Sequence, residues 1–241
     1  MEKPIGIVMA AGRGTRMREL TDHTPKPMLM VRGKPIIAHV LNGLAPQVSL
    51  IVVVVGYLGE QIKEHIGDAF EGVPVIYAIQ SNPTGGTLDA LRAGLLAVES
   101  RKTEGFIVTS ADDIHTLEAF GSLGLHAAHK PNDMALIGIT LEDKDRLKRF
   151  GVFALDSAGR ISGIEEKPVV PPSSIINCAL YYFPFAFKNY LFAEVQPQPN
   201  GELYLTDPLD LWIREKGADL YIAYNWQPVG TPEDLEAANV E

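Results

Sequence analysis

The chain has 241 residues, 46% of them hydrophobic, enough to bury a large core within one α/β domain. Its 21 basic and 30 acidic residues leave a net charge of -9, and no basic tract is present, which argues against a nucleic-acid polymer as partner. The lone cysteine, Cys178, excludes an internal disulfide and suits a cytoplasmic protein. The longest aliphatic run, Leu50 to Val55, is far short of the roughly 20 residues that cross a bilayer. No secretory signal is expected either, because the apolar segment after Lys3 runs straight into a Gly-rich turn.

In chain order, Ile5 to Ala10 reads as a buried strand that empties into Ala11-Gly12-Arg13-Gly14-Thr15, followed by Arg16. Glycines let a backbone approach a ligand closely, so several N–H groups can converge on anionic oxygens. Arg16 adds a planar cation, and Lys26 stands between Pro25 and Pro27, which restrict the local backbone. Two familiar phosphate loops are excluded by spacing. A dinucleotide fingerprint needs glycine where Met17 stands, and a Walker loop needs Ser or Thr where Pro35 follows Gly33-Lys34.

Pro35 to Leu44 reads as a helix, Ser49 to Val55 as a second buried strand, Tyr57 to Ile66 as a helix and Val75 to Ala78 as a third strand. Thr87 to Val98 follows as a helix entered from Thr84-Gly85-Gly86, and Phe106 to Thr109 as a fourth strand ending at Ser110-Ala111-Asp112-Asp113. This alternation predicts a parallel doubly wound sheet with the first strand in its middle and ligands at the carboxyl ends of the strands. Beyond a helix at Leu117 to Lys130, the strands Met134 to Thr140, Gly151 to Leu155, Ile161 to Glu165 and Ile175 to Phe183 predict a mixed or antiparallel region on the sheet edge. Asp156 to Arg160 reads as a hairpin connection. Leu205 to Lys216 is a helix, Asp219 to Tyr224 a last strand, and Pro232 onward a closing helix. Val169 to Ser174 and Gln196 to Gly201 are Pro-rich loops that could flank a pocket.

The combination AAGxGTRM, PKPM and GKPII resembles the sugar-phosphate nucleotidyltransferases, or NDP-sugar pyrophosphorylases, which act as glucose-1-phosphate thymidylyl- or uridylyltransferases or mannose-1-phosphate guanylyltransferases. The resemblance implies a Rossmann-like mixed sheet of the nucleotide-diphospho-sugar transferase type in one domain over residues 1–241. Its nucleotide half would end at about residue 116, and a sugar-phosphate half would follow. No hexapeptide repeat follows, so the β-helix of some relatives is not expected within the sequence. In such a protein Ala10, Ala11, Gly12, Gly14 and Thr15 would cradle the nucleotide phosphates.

Further motifs continue the resemblance. Gln80, with the turn Pro83-Thr84-Gly85-Gly86-Thr87, matches a segment in which a glutamine and backbone groups read the nucleobase; Gly85, Gly86 and Thr87 are therefore nucleotide-binding candidates. An amide offers both a donor and an acceptor. Asp112 matches the aspartate that binds Mg2+ at a strand end, with Asp113 as the alternate; Asp113 also reads as a helix N-cap. Phe150-Gly151-Val152, Glu165-Glu166-Lys167-Pro168 and Asn177-Cys178-Ala179-Leu180-Tyr181 come in the order of the family's sugar-phosphate site. This assigns Gly151, Glu166 and Asn177 to the sugar and Lys167 to its phosphate. Glu202-Leu203-Tyr204-Leu205-Thr206-Asp207 resembles a helix opening near that site, with Thr206 or Asp207 also readable as its cap.

Two positions depart from the pattern: Ala179 replaces a glycine, and Pro228, in Trp226-Gln227-Pro228-Val229-Gly230-Thr231-Pro232, replaces an aspartate that is often the second metal ligand. His126 and His129 share a helix face without a third ligand and read as exposed polar residues, and Cys178 reads as packing. The resemblance implies catalysis by Arg16, Lys26, Asp112 and Lys167 with Mg2+ as cofactor, on a nucleoside triphosphate and a sugar 1-phosphate, with no membrane partner and with a homo-oligomer allowed. A cytidylyltransferase for a phosphorylated alcohol and a nucleotide-sugar sensor lacking catalysis are the competing readings.

Overall fold

The computed structural model describes residues 2–82, 84–198 and 201–240. Pro83 of the turn that follows Gln80 and Pro199-Asn200 of the second Pro-rich loop lie outside them. Ten strands form the main sheet among the described residues: β1 (Ile5–Ala10), β2 (Leu50–Val55), β3 (Ala69–Phe70), β4 (Val73–Ile79), β5 (Gly105–Ser110), β6 (Ala135–Thr140), β7 (Gly151–Leu155), β8 (Ile161–Glu166), β9 (Ile175–Pro184) and β10 (Asp219–Ala223). The longer helices are α1 (Ile36–Leu44), α2 (Gly59–Ile66), α3 (Gly86–Leu96), α4 (Leu117–His129), α5 (Thr206–Lys216) and α6 (Pro232–Val240).

The sheet order is β8-β7-β9-β5-β1-β2-β4-β3, with β6 beside β9 and β10 beside β6. Strands β4, β2, β1 and β5 are mutually parallel, and β1 lies between β2 and β5, as the alternating pattern predicts. β9 then runs antiparallel to β5, and β7 and β8 form a hairpin closed by Asp156 N–H to Arg160 O at 2.8 Å. The expected mixed region is therefore on the edge beyond β5.

Residue alternation sends the two faces of the parallel strands into different cores. Val8, Ile51, Val53 and Val55 pack with Ile37 and Leu41 of α1 and Phe120 and Leu123 of α4. Ile5, Ile7, Val52 and Val54 pack with Leu88 and Leu91 of α3 and Leu209 and Ile213 of α5. Each such buried aliphatic side chain contributes about 1.5–3 kcal/mol. With helices on both faces, β2 is buried along its whole length, which explains its unbroken Leu-Ile-Val-Val-Val-Val. No helix among the described residues is long and apolar enough to cross a membrane.

Several expectations are corrected by tertiary packing. Asp113 caps no helix: Asp113–His115 is a short strand paired antiparallel with Trp226–Pro228, and α4 begins later, capped by Thr116 Oγ1, which accepts from Ala119 N at 3.3 Å. Neither Thr206 nor Asp207 caps α5, whose N-cap is Leu205. His126 is buried rather than exposed, held by Tyr221 Oη at 3.1 Å and Asp133 O at 2.9 Å, while His129 stays exposed. Cys178 is packed as expected, its Sγ donating to Ile137 O.

Ala179 occupies a register shift of β9 between Asn177 and Tyr181, with φ of 54°. A non-glycine residue there costs about 1–2 kcal/mol, part of which glycine returns through its freer unfolded chain. Ala179→Gly is therefore expected to stabilise the fold by about 0.5 kcal/mol, read as a higher denaturant midpoint; a lower midpoint would show that the alanine methyl contributes more by packing than its backbone costs.

Candidate active site

The loop after β1 begins at Ala10 and Ala11, which are buried, and Ala11 O accepts the Tyr57 N–H at 3.3 Å. Gly12 and Thr15 are exposed. Gly14 has φ of 67°, and a Cβ on it would lie 3.0 Å from Lys26 Cβ, so both the turn and the lysine stem require glycine. The chain then winds through a 3-10 helix, Thr15–Thr21, broken at Arg18 by φ of 55°. Lys26 opens a second short 3-10 turn, Lys26–Met28, and is buried.

Lys26 Nζ forms a short ion pair with Asp112 Oδ2 just past the end of β5, and Ser110 Oγ donates to Asp112 Oδ1. Burial opposes the Asp112 charge, yet the Lys26 ammonium, the hydrogen bonds from Lys26 and Ser110, and the Arg16 charge hold its carboxyl below the ordinary range. Burial and then the Asp112 charge push the neighbouring Asp113 carboxyl well up, against the pull of Lys26, of Trp226 and of Arg16. The two adjacent carboxyls are thus pushed in opposite directions, Asp112 down and Asp113 up. The Trp226 indole N–H donates to Asp113 Oδ1 at 3.2 Å, and Pro228 faces Asp113 directly across the short ribbon.

Arg16 is exposed and its charge reaches Asp112, with Gly230 of the Gly-Thr-Pro turn close to its guanidinium. Met17, Val229 and Ala238 share a small core with Leu29, Val31, Ile36 and Ile114, which clamps the Gly-rich loop between α6 and the hairpin of Met30–Val31 with Lys34–Pro35 that precedes α1. Asn239 on α6 strengthens that clamp: its Oδ1 accepts from Arg32 N at 2.9 Å and its Nδ2 donates to Met30 O at 3.1 Å.

A second cluster gathers at the edge region. Gly151 opens β7 beside Glu166 Oε2, and Lys167 follows β8 with φ of 46°, its N–H donating to Phe150 O at 3.0 Å. Lys167 Nζ lies 3.5 Å from Glu166 Oε1, donates to Tyr204 Oη at 3.3 Å and sits over the Tyr204 ring. Burial raises the Glu166 carboxyl against the opposing pull of the Lys167 charge. Asn177 Oδ1 accepts the Ala179 N–H at 3.1 Å, and the Asn177 side chain also bonds Tyr181, whose hydroxyl burial drives far up.

Gln80 and the Gly85-Gly86-Thr87 turn, the nucleotide-binding candidates from sequence, lie at the N-terminal end of α3. Gln80 Nε2 donates to Gly86 O and to Asp89 Oδ2. Gly86 has φ of 79°, and a Cβ on it would meet Leu203 O at 2.6 Å. Leu203 N–H donates to Gly85 O, Leu88 N–H to Leu203 O, and Leu205 N–H to Thr87 Oγ1, all at 3.0–3.1 Å. The Glu202–Asp207 segment is thereby bonded to Gly85-Gly86-Thr87, and it joins that turn to Tyr204 and Lys167.

A family model described as nucleotidyl transferase matches residues 5–241. The chain belongs to the nucleotidyl transferase family. It is 35% identical over 237 residues to UTP–glucose-1-phosphate uridylyltransferase AglF of Haloferax volcanii, covering 96% of this chain and 93% of that protein. It is 30% identical over 237 residues to the bifunctional protein GlmU of Methanococcus aeolicus, covering 97% of this chain and 53% of GlmU, so it spans about half of that relative. Among solved structures, one described as a Bacillus anthracis glucose-1-phosphate thymidylyltransferase in complex with sucrose superposes with a TM-score of 0.85 at 25% identity, covering 98% of this chain and 94% of that one.

In this nucleotidyl transferase the structure adds Ser110, Asp89, Tyr181, Tyr204 and Trp226 to the residues singled out from sequence. Ser110 stood beside Asp112 in the motif, and Tyr204 and Trp226 stood within motifs already marked. Tyr181 likewise closed the Asn177-to-Tyr181 motif, and Asp89 stood two residues past Gly85-Gly86-Thr87 in the segment matched through Gln80.

Proposed function

We propose that the chain transfers a nucleotidyl group from a nucleoside triphosphate to a sugar 1-phosphate, releasing pyrophosphate. The observation that carries this reading is the Lys26–Asp112 pair, its lysine stem packed against Gly14 of the Gly-rich loop and its carboxylate within reach of the Arg16 charge, with Glu166 and Lys167 on the edge region. The nucleotide half ends at about residue 116, and the rest supplies the sugar-phosphate half. The lone buried Cys178 suits a cytoplasmic enzyme.

The sugar-phosphate oxygen is already anionic and needs no general base, so the chain has to juxtapose two polyanions and align attack with departure. Loop N–H groups, Arg16 and Lys26 neutralise the triphosphate and the charge that builds on the leaving pyrophosphate. Lys167 holds the incoming phosphate, and Glu166 accepts hydrogen bonds from the sugar hydroxyls. Gln80 reads the base.

The donor set also suits Mg2+. No group of three or more His, Cys, Asp and Glu among the described residues could hold a metal alone, but Mg2+ is usually held by one or two carboxylates together with substrate phosphates and water. Asp112, whose carboxyl Lys26, Ser110 and Arg16 hold down, would be that carboxylate; Asp113, whose carboxyl burial and the Asp112 charge push up, and Pro228, which has no side-chain oxygen, are the poorer candidates. Bound there, the ion would polarise phosphoryl oxygens and offset their charge.

The test is pyrophosphate release with Mg2+ across a grid of nucleoside triphosphates and sugar 1-phosphates, with Asp112→Ala as control. Release in one or two wells, absent in the control, is the expected result. A silent grid from a protein that still binds an NDP-sugar would replace this reading with the sensor, which Pro228 favours.

A further inference from the structure

Gln80 and Asp89 carry an inference that deepens the proposed transfer and rests on it. Gln80 follows β4, and its backbone N–H donates to Val55 O at 2.9 Å, which sets the start of its side chain at the edge of β2. Its amide has two N–H donors on one atom and a carbonyl acceptor on the other. Both donors are engaged: Nε2 lies 3.1 Å from Gly86 O and 3.0 Å from Asp89 Oδ2. A backbone carbonyl and a carboxylate can only accept. An amide turned the other way would set its oxygen against two acceptors, so this network chooses the orientation chemically.

Asp89 lies in the first turn of α3, and a side chain on Gly85 would collide with its carboxylate. That glycine leaves room for the aspartate to turn toward Gln80. With Nε2 satisfied, the group that Gln80 can offer a ligand is its Oε1 acceptor. The first turn of α3 adds backbone N–H donors that a helix cannot satisfy internally.

We propose that Asp89 is a positioning residue for nucleobase choice, holding Gln80 so that its carbonyl faces the base. The site then takes a base with a ring N–H beside a carbonyl, which is the edge of uracil and thymine and, at that atom, of guanine. Cytosine and adenine carry a bare ring nitrogen there, acceptor against acceptor. Sites that leave a polar group unpaired with the wrong ligand discriminate strongly.

The experiment is calorimetric binding of UTP, dTTP, GTP, CTP and ATP to the wild-type chain and to Asp89→Leu, Asp89→Ala and Asp89→Asn, each first checked for a wild-type melting profile. Wild type is expected to bind UTP or dTTP at least about tenfold tighter than CTP and ATP. Asp89→Leu and Asp89→Ala should bring the UTP to CTP ratio to within about threefold by weakening UTP, with the KM for the sugar 1-phosphate unchanged. Asp89→Asn keeps an acceptor oxygen for the same amide hydrogen and should retain most of the ratio. A wild type that prefers CTP or ATP, a wild-type ratio in Asp89→Leu and Asp89→Ala, or an Asp89→Asn as impaired as the leucine variant would each overturn the proposal. Failure of every triphosphate to bind would refute the transferase reading itself, a result distinct from binding without base preference.

Discussion

Lys26→Met is expected to lower turnover by at least about 100-fold and to lower stability by about 2 kcal/mol. The catalytic part follows from removing one preorganised cation from the position where pyrophosphate charge builds, an effect on the scale of one lost electrostatic group. The stability part follows from the ion pair. The Lys26 side chain is 7% exposed and that of Asp112 is 31% exposed, so methionine would keep the apolar stem against Gly14 but leave a largely buried carboxylate without its partner. Breaking a fully buried pair costs roughly 3–5 kcal/mol, and the partial exposure of Asp112 lets solvent recover some of that. For a chain of this length about 2 kcal/mol corresponds to a melting shift of about 4–8 °C. Unchanged melting would show that Ser110 and water are sufficient for Asp112; unchanged turnover would remove Lys26 from the mechanism.

Arg16→Ala is expected to lose as much turnover, about 100-fold or more, with stability within about 0.5 kcal/mol of wild type. Its side chain is exposed, so its removal leaves no buried group without a partner. The two variants therefore separate a cation that both builds and works the site from one that only works it. Pyrophosphate release together with thermal melts reads both quantities, and normal turnover in a folded Arg16→Ala protein would refute the role assigned to that guanidinium.

The strands and helices were legible because their signals are local. Ile5–Ala10 and Leu50–Val55 are continuous apolar runs that suit strands covered on both faces, and Asp156–Arg160 has the composition of a hairpin turn. The observed β4, β5 and β8 extend the predicted segments by only one or two residues at their ends. The placement of β1 in the middle followed from strand and helix alternation alone. Local signals failed where a short segment's state depends on a distant one. Asp113–His115 is a strand only because Trp226–Pro228 pairs with it, and His126 is buried because Tyr221 and the β6 side of the sheet cover α4.

By itself the sequence determined the alternating core, the Gly-rich loop after the first strand and the ordered motifs that mark this family, all of which depend on residue type and short spacing. Tertiary structure decided which of those motifs touch. Lys26 meets Asp112 across 86 residues, and Leu205 meets Thr87 across 118. It also pushed the carboxyls of two adjacent aspartates in opposite directions and bonded the Gln80 amide to Gly86 and Asp89. Each of those outcomes depends on a partner's position in space, burial and hydrogen-bond geometry, quantities that exist only once the sheet has brought distant segments together.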